Sequence, residues 1–313
     1  MIGFYLIAPL MLIIAVGNIL HRRGFYSKAD IPVFTKTLYW VILPPLLFRT
    51  TYLAGSDVIN QPKVFVGATI CFIASVLLAY IAGTLFVHKG NRLRIAASAF
   101  ASMRSNNVYL GLPVIELALG EMGLRYATVS LAVTLVPFHI ISIASAELIM
   151  TGRLTKKSFK SLVKKIIANP LILACCFGVG AALLNVPINF VFMKSMEIVS
   201  KAATAVALIA LGATLDLSGI KNIAKIYRET WFDIIVKLFI SPAIMYFILL
   251  QMGVDTMMTN VTVMLSAMPT AVNSFIIARG MGMDADYAAN LVAAATLLGA
   301  FTIPMWAYML GII

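Results

Sequence analysis

Polar and helix-breaking residues interrupt two otherwise apolar stretches of the chain, at residues 102–120 and 265–282. The first stretch reads SMRSNNVYLGLPVIELALG and the second reads LSAMPTAVNSFIIARGMG. Because proline removes a backbone donor and glycine loosens a helix, both stretches predict broken helices. If such helices lie in a membrane, the opened backbone must be satisfied by protein or by a water-filled cavity. The two stretches therefore predict a functional pocket, with a simple proline kink as the alternative at either one.

The residue types at these interruptions suit the binding of an anion. A half-helix that starts inside a membrane offers free N–H groups and the positive end of its dipole. Pro113 fits the first turn of such a half-helix, and Gly111 would let the backbone approach a ligand closely. Asparagine adds neutral donors and acceptors that either hold a carboxylate or tie up the opened backbone. The candidate substrate-binding residues are Arg104, Asn106, Asn107, Gly111, Pro113, Pro269, Asn273 and Ser274.

Two isolated ionisable residues, Arg104 and His139, also fall within the apolar stretches. A charged side chain at membrane depth is costly, which makes Arg104 a functional candidate by default. It either neutralises an anionic substrate, or snorkels to the surface, or pairs with Glu147 or Asp216. His139 is a candidate for carrying a proton as the coupling ion, with a simple hydrogen-bonding role as the alternative.

Acidic residues are scarce near the interruptions. The nearest acid in sequence, Glu116, follows the first interruption, and no pair of carboxylates falls in the middle of an apolar stretch. The sequence therefore disfavours cation exchange and favours an anionic or weak-acid solute. Two further acids each precede a lysine by four residues, which predicts ion pairs on one helix face. These pairs are Glu197–Lys201 and Asp233–Lys237.

Enzyme motifs are missing from the sequence. A zinc-protease helix, a serine-hydrolase elbow, a phosphate-binding loop and a dinucleotide-binding turn are all absent. The chain has only three histidines and no cluster of acids, and its three cysteines lack the spacing of a zinc or redox site. We therefore expect no enzyme activity, no cofactor and no metal site.

The composition is that of a membrane protein. Hydrophobic residues make up 61% of the 313 positions and charged residues only 12%, which is about half the charged share of an average soluble domain. Since a bilayer core requires about 20 apolar residues per helix, the sequence predicts an all-α membrane protein with ten transmembrane helices. The predicted spans are residues 3–20, 34–53, 64–87, 94–119, 124–150, 166–185, 190–216, 230–252, 257–280 and 286–311.

Basic residues alternate along the connections between the predicted spans. Seventeen of the 24 Lys and Arg residues fall in every second connection, with the largest cluster at residues 151–165. By the positive-inside rule these connections face the cytoplasm, so both termini lie outside. The formal net charge of +12 then reflects topology and attraction to anionic lipid rather than a nucleic-acid surface.

The basic connection at residues 151–165 separates two groups of five predicted spans, at residues 1–150 and 166–313. An odd number of spans per half places the second half in the membrane upside down, as in many secondary transporters. Internal similarity supports this inverted repeat, because APLMLIIAVG from residue 8 aligns with NPLILACCFGVG from residue 169 and matches Gly17 with Gly178. In this alignment the interrupted fourth span corresponds to the interrupted ninth.

Three segments resemble the auxin efflux carrier family. NNVYLGLP at 106–113 resembles the Asn-x4-Gly-[Ile/Leu]-Pro signature of its fourth helix. AVALIALGATL at 205–215 and AMPTAVNSFIIARGMGMDADYA at 267–288 are similar to its seventh and ninth helices. The resemblance covers essentially the whole chain. It is closer to the family's bacterial permeases for malate and malonate than to plant auxin exporters, which often carry a long central hydrophilic loop.

The resemblance implies two inverted five-helix repeats with broken crossover helices 4 and 9, similar to the bile-acid symporter fold. It further implies a scaffold of spans 1, 2, 6 and 7 and a transport domain of spans 3–5 and 8–10. Carried over by position, Asn106, Gly111, Pro113 and Pro269 would line the substrate site. Asn273 is not carried over, because the plant exporters do not keep an asparagine there.

These features together predict a secondary transporter, a permease or efflux carrier, in the bacterial inner (plasma) membrane. Its expected substrate is a small organic anion, such as a dicarboxylate or an auxin-like weak acid, moved by elevator-type alternating access. The alternatives are a sodium-coupled organic-anion symporter and a solute sensor or channel on the same fold. Expected partners are the organic anion and membrane lipid. A proton or sodium as coupling ion and a homodimer stay open, and nucleic acid is excluded.

Overall fold

Helices make up all the regular secondary structure in the part of the chain that the structure describes. The structure is a computed structural model that describes residues 2–27, 30–88, 90–154, 160, 163–164, 166–214 and 223–313. Six helical segments are long and apolar enough to cross a membrane. They are Ile31–Asp57, Pro62–Val87, Asn107–Thr151, Phe190–Thr214, Ala224–Gln251 and Ala285–Met309. Shorter apolar helices lie at Ala8–Arg22 and Pro170–Leu183. The chain is thus a multi-pass, all-helical membrane protein.

We number the α-helices in chain order. They are α1 (Ile2–Arg22), α2 (Ile31–Thr37), α3 (Leu43–Ala54), α4 (Pro62–Ala82), α5 (Arg92–Met103), α6 (Leu112–Thr151), α7 (Pro170–Leu183), α8 (Phe190–Ser200), α9 (Ala203–Thr214), α10 (Ile223–Ile235), α11 (Ser241–Gln251), α12 (Thr256–Ala267), α13 (Ser274–Met281) and α14 (Ala285–Met309). Wider π-helical turns precede or follow several of them, at Leu38–Ile42, Gly83–Val87, Asn107–Gly111 and Val236–Ile240.

Both interrupted stretches are broken in the structure, as the prolines and asparagines predict. In the first, α5 ends at Met103 and regular helix resumes at Asn107. In the second, α12 ends at Ala267 and α13 begins at Ser274. The residue after each first half, Arg104 or Met268, has an extended backbone. These breaks explain why neither predicted span, 94–119 nor 257–280, is among the six continuous segments.

Predicted spans 4 and 5 are separated at Gly120. The segment α6, Leu112–Thr151, consists of two helices that meet at a kink there. Gly120 lies between them with φ 63° and ψ −157°, a conformation that only glycine adopts readily. The chain therefore turns at Gly120. Most of the predicted basic connection at 151–165 and residue Asp216 lie outside the described residues.

Close helix pairs join the two halves of the chain, since α1 packs on α9 and α3 packs on α7. Glycines permit both approaches, as is common between membrane helices. A Cβ atom built on Gly17 would lie 3.0 Å from the Ile209 carbonyl carbon, and one on Gly178 would lie 2.6 Å from the Phe48 carbonyl oxygen. Real Cβ atoms do not approach backbone so closely, so these contacts require glycine.

Candidate functional site

The two chain interruptions meet and satisfy each other's backbone. The Asn106 N–H donates to the Pro269 carbonyl at 2.8 Å, and the Ala271 N–H donates to the Arg104 carbonyl at 2.8 Å. Together they form an isolated antiparallel bridge centred on Ser105. An unpaired backbone group at membrane depth would cost several kcal/mol. The bridge therefore allows both helices to open at the same place.

The second half of the first broken helix begins at Asn107, earlier than the position of Pro113 suggests. The Asn106 carbonyl accepts from the N–H groups of Leu110 at 3.2 Å and Gly111 at 3.0 Å. This π-helical turn leads directly into α6, where Pro113 lies within the first turn. A proline there removes a donor that a helix start leaves unused anyway.

The start of this half-helix presents three free backbone donors. The N–H groups of Asn107, Val108 and Tyr109 have no hydrogen-bond partner among the described residues. The Asn106 side chain does not cap them either. Free N–H groups at a helix start, reinforced by the helix dipole, form a ready site for an anion.

A pocket lies beside this helix start, and we call it the anion pocket. It contains about 640 Å³ of space free of protein atoms, part of which is open solvent. Among the described residues, Arg104 is the one Arg or Lys in the lining, and no Asp or Glu side chain contributes to it. The lining residues are Tyr39, Arg104, Ser105, Asn106, Asn107, Val108, Tyr109, Leu131, Thr134, Leu135, Phe138, His139, Leu171, Ala271 and Asn273.

Arg104 is buried in this pocket without a carboxylate partner. Its side chain is 2% exposed, and it lies 4.8 Å from the ring centres of both Phe100 and Phe138. Nη1 donates to the Ser142 hydroxyl at 3.1 Å and Nη2 to the Asn273 side-chain oxygen at 3.4 Å. No acid among the described residues lies within 4.0 Å of the guanidinium group. Aromatic faces and neutral dipoles stabilise the charge but leave it free to pair with an incoming anion.

The predicted partners of Arg104 do not take that role in the described part of the chain. Glu147 makes no ion pair with it within 4.0 Å, and Asp216 lies outside the described residues. Arg104 also does not snorkel, because its side chain is almost fully buried. Of the predicted roles, neutralisation of an anionic substrate agrees best with these contacts.

Buried side-chain atoms without partners cluster at the bridge. Both polar atoms of the Asn106 amide, the Asn107 side-chain oxygen and Arg104 Nε are buried and have no hydrogen-bond partner in the described part of the chain. The hydroxyl groups of Thr270 and Ser274 are also buried and have no hydrogen-bond partner among the described residues. Each such group costs about 1–3 kcal/mol, and most buried polar groups in proteins have a partner. Such a concentration of unpaired polar groups at one place makes the bridge the leading candidate for a binding site.

His139 lies on the pocket wall formed by α6. Its Nδ1 atom lies 2.8 Å from the Leu135 carbonyl oxygen, which can only accept, so Nδ1 carries a hydrogen. In the neutral ring Nε2 is then an acceptor. The side chain therefore makes a hydrogen bond within its helix, the simpler of its two predicted roles. Its role as a proton carrier stays a prediction.

The remaining predicted site residues shape the backbone and do not line the anion pocket. A Cβ atom on Gly111 would lie 2.9 Å from the Leu265 side chain, so this glycine lets α6 approach α12. The Pro269 ring packs against Gly299 of α14. Pro113 borders a separate small pocket near Glu116. The fourth residue, Ser274, is fully buried at the start of α13.

Two pocket residues had no distinguishing signal in the sequence. Tyr39, in the turn between α2 and α3, and Leu171, in the first turn of α7, form part of the pocket wall. Both lie in apolar runs far from the interruptions, and only the packing of the folded chain brings them there.

One of the two predicted i,i+4 ion pairs forms and the other does not. Lys201 lies 3.1 Å from Glu197, as expected. Asp233 and Lys237 make no ion pair within 4.0 Å. A π-helical turn begins at Val236 between them, so the regular spacing that brings i and i+4 together is lost. Their side chains contact different neighbours.

Comparison with known proteins identifies relatives along the whole chain. A family model described as membrane transport protein matches residues 2–307. A putative malonate transporter of Rhizobium meliloti (strain 1021) is 24% identical over 309 residues, covering 97% of this chain and 95% of that protein. The uncharacterized transporter YfdV of Escherichia coli (strain K12) is 21% identical over 315 residues, covering 99% and 98%. An uncharacterized transporter of Methanocaldococcus jannaschii is 20% identical over 321 residues, covering 99% of each chain.

The family model and the relatives agree with the family resemblance of the sequence. All three relatives are named as transporters and match almost end to end. The family and the relatives are transporters, which indicates a transporter rather than an enzyme. The chain belongs to the membrane transport protein family, the auxin efflux carrier family that its sequence resembles.

Proposed function

We propose that this protein is a secondary carrier of a small organic anion that binds in the anion pocket. The observation that carries the proposal is the buried guanidinium group of Arg104, which has no carboxylate partner among the described residues. Beside it lie the free N–H groups of a helix start and the unpaired Asn106 amide. A carboxylate would pair with the Arg104 guanidinium group and accept hydrogen bonds from the backbone N–H groups and the Asn106 amide.

A short dicarboxylate is the first substrate to test. The polar residues of the pocket lie beside an apolar wall of Leu131, Leu135 and Phe138. One carboxylate would pair with Arg104 and the helix start, while Asn273 and His139 border the remaining space. The Rhizobium meliloti relative is named as a putative malonate transporter. An auxin-like aromatic acid is the second class, since the apolar wall would accept a ring.

Ten spans in two inverted repeats agree with the contacts between the halves. Gly17 lies against Ile209, and Gly178 lies against Phe48. The sequence alignment matches Gly17 with Gly178, and the same separation of 161 residues matches Phe48 with Ile209. A two-fold exchange of the halves therefore converts one contact into the other, which is the relation expected for an inverted repeat.

Charge and contacts support the proposed orientation. Arg92 and Gly152 border one common pocket, and Arg94 pairs with Asp284 at 2.8 Å, so these connections lie at one end of the molecule. Under the positive-inside rule this end is cytoplasmic. We propose the inner (plasma) membrane of a bacterium, with both termini outside.

The way the anion pocket is built supports alternating access. Its lining comes from α6, the π-helical turn before it and the segments around the bridge on one side, and from the turn before α3 and from α7 on the other. We assign the helix pairs α1–α9 and α3–α7 to a scaffold and the bridge with its helices to a transport domain. Movement of the bridge along the scaffold would carry the anion across the membrane.

A contact at the proposed outer side tests this movement. Thr204 of α9 donates a hydrogen bond to Glu116 of α6 at 2.5 Å, joining scaffold to transport domain. We expect a short thiol cross-link between Glu116→Cys and Thr204→Cys to block transport, with recovery after cleavage. The double-cysteine variant also carries Cys176→Ser, because Cys176 is the exposed one of the three free cysteines and would itself react with the cross-linker.

The matched control is a cross-link within the transport domain. Arg94→Cys and Asp284→Cys replace a pair 2.8 Å apart that joins α5 to the start of α14. This cross-link should leave transport unchanged, because both positions would move together. Full transport with the Glu116–Thr204 cross-link in place would contradict an elevator movement between α6 and α9.

Binding is tested by a thermal-denaturation screen of the purified protein against small carboxylates. A ligand that binds the folded state raises its apparent stability. We expect malonate or a similar short dicarboxylate to raise the midpoint of unfolding, and the uncharged diamide of the same acid to have no effect. Stabilisation by the diamide alone, or by no organic anion in the panel, would contradict an anion pocket at Arg104.

A further inference from the structure

Lys237 is a buried lysine that neither the anion pocket nor an ion pair explains. Its side chain is 1% exposed. Its Nζ atom donates to the Ser105 hydroxyl at 2.6 Å and to the Ser266 carbonyl at 2.8 Å. No carboxylate among the described residues lies within 4.0 Å of this nitrogen. The nearby acid Asp233 instead accepts hydrogen bonds from other side chains.

The two oxygen atoms that hold Lys237 lie where two helices end. α5 ends at Met103, just before Ser105, and α12 ends at Ala267, just after Ser266. The C-terminal end of a helix carries partial negative charge and unused carbonyl groups. Two such ends converge on one nitrogen, so this place favours a cation.

A direct contact connects this cation to the anion pocket. Ser105, which accepts from Lys237, also lines the pocket. The same hydroxyl donates to the Ser266 carbonyl at 3.2 Å. The lysine, the two helix ends and the pocket wall therefore form one continuous hydrogen-bonded unit.

We propose that the Lys237 ammonium group is a built-in cation that occupies the place where a cation-coupled carrier would bind sodium. In secondary transporters with discontinuous helices, half-helix C-termini and opened carbonyl groups coordinate the coupling ion. Here a tethered ammonium group contacts one such carbonyl group, that of Ser266, and the Ser105 hydroxyl beside the other helix end. The inference rests on the proposed function, and it selects the sodium-independent form of that function over a sodium-coupled symporter.

The test measures the midpoint of thermal unfolding of the full-length protein without substrate. Wild type, Lys237→Ala and Lys63→Ala are compared in sodium, methylammonium and N-methylglucamine chloride at equal ionic strength. Lys63 is the matched control, because its Nζ atom also lies near a backbone carbonyl, 3.5 Å from that of Gly253, but at an exposed position. Methylammonium carries the charged end of the lost side chain, whereas N-methylglucamine is too large for its space.

We expect wild type and Lys63→Ala to unfold at the same temperature in all three salts. Lys237→Ala should unfold at a lower temperature in N-methylglucamine chloride and regain stability, saturably, with methylammonium or sodium. A wild-type protein that sodium stabilises saturably would overturn the proposal. So would a folded Lys237→Ala protein that responds to neither small cation.

Two further measurements keep the proposal testable if Lys237→Ala does not fold. Lys237→Met keeps the apolar stem and fills the space, so it should fold without any response to methylammonium. Wild-type uptake of the anion should proceed equally with external sodium or N-methylglucamine, and a requirement for sodium would overturn the proposal. Unfolding is measured without substrate, so failure of the proposed carrier function would appear separately, as absence of uptake by the wild type.

Discussion

Replacing Arg104 with glutamine is expected to abolish uptake of the organic anion while leaving the protein folded. The substitution removes the one Arg or Lys charge that the described residues contribute to the lining of the anion pocket. Glutamine keeps a donor for the neighbouring Ser142 and Asn273 side chains. Truncating one partner of a buried charge pair costs about 2–5 kcal/mol of binding. We therefore expect the affinity to fall by about 30-fold or more, measured as initial uptake rate and as ligand-induced thermal stabilisation.

A second arginine supplies the control for this prediction. Arg125 is exposed and pairs with Asp57 at 2.8 Å, away from the anion pocket. Exposed ion pairs contribute little, so Arg125→Gln should transport like the wild type. Arg104→Lys should recover only part of the activity, because a lysine lacks the planar fork that pairs with a carboxylate at two points. Wild-type uptake by a well-folded Arg104→Gln protein would contradict binding at this guanidinium group.

Gly178→Ala is expected to destabilise the fold strongly through the contact between α3 and α7. The new methyl group would lie 2.6 Å from the Phe48 carbonyl oxygen and would also clash with the Thr51 hydroxyl. Because the obstacle is mainly backbone, the two helices must move apart. Overpacking of this kind costs about 1–3 kcal/mol. The midpoint of thermal unfolding in detergent should fall, and the yield of monodisperse protein should fall with it.

Gly180→Ala provides a matched substitution two residues further along the same helix. A Cβ atom at Gly180 would meet nothing within 4 Å. Alanine is favoured over glycine inside a helix by about 0.5–1 kcal/mol, so this variant should be slightly more stable than the wild type. If Gly178→Ala were as stable as Gly180→Ala, the close packing of α3 on α7 would be wrong.

The sequence predicts the local features of the site because they depend on residues close together in the chain. Asn106 and Pro113 mark the first interruption, and Pro269 with Asn273 marks the second. Breaks at these positions follow from missing donors and poor helix propensity. The alignment of the halves also predicts that the two breaks correspond. Long apolar runs likewise predict where the continuous membrane-crossing helices lie.

Other features depend on contacts between distant residues and have no local signal. The bonds from Asn106 to Pro269 and from Ala271 to Arg104 each join segments more than 160 residues apart. Tyr39 reaches the pocket only because α3 packs where it does. Asp233 and Lys237 make no ion pair although their spacing predicts one, and Lys237 lies in a π-helical turn that begins at Val236. Helical spacing could not reveal that Lys237 contacts the ends of two broken helices.

The most direct test of the central claim is uptake of labelled malonate and related short carboxylates into liposomes that contain the purified protein. Binding at Arg104 and the adjoining helix start predicts saturable uptake of at least one small organic anion. Unlabelled anion should compete, the uncharged diamide should not, and protein-free liposomes should show no uptake. A protein that binds the anion but never moves it would be a sensor, and current that never saturates would indicate a channel. Either result, or no uptake of any organic anion by a folded wild-type protein, would contradict the carrier.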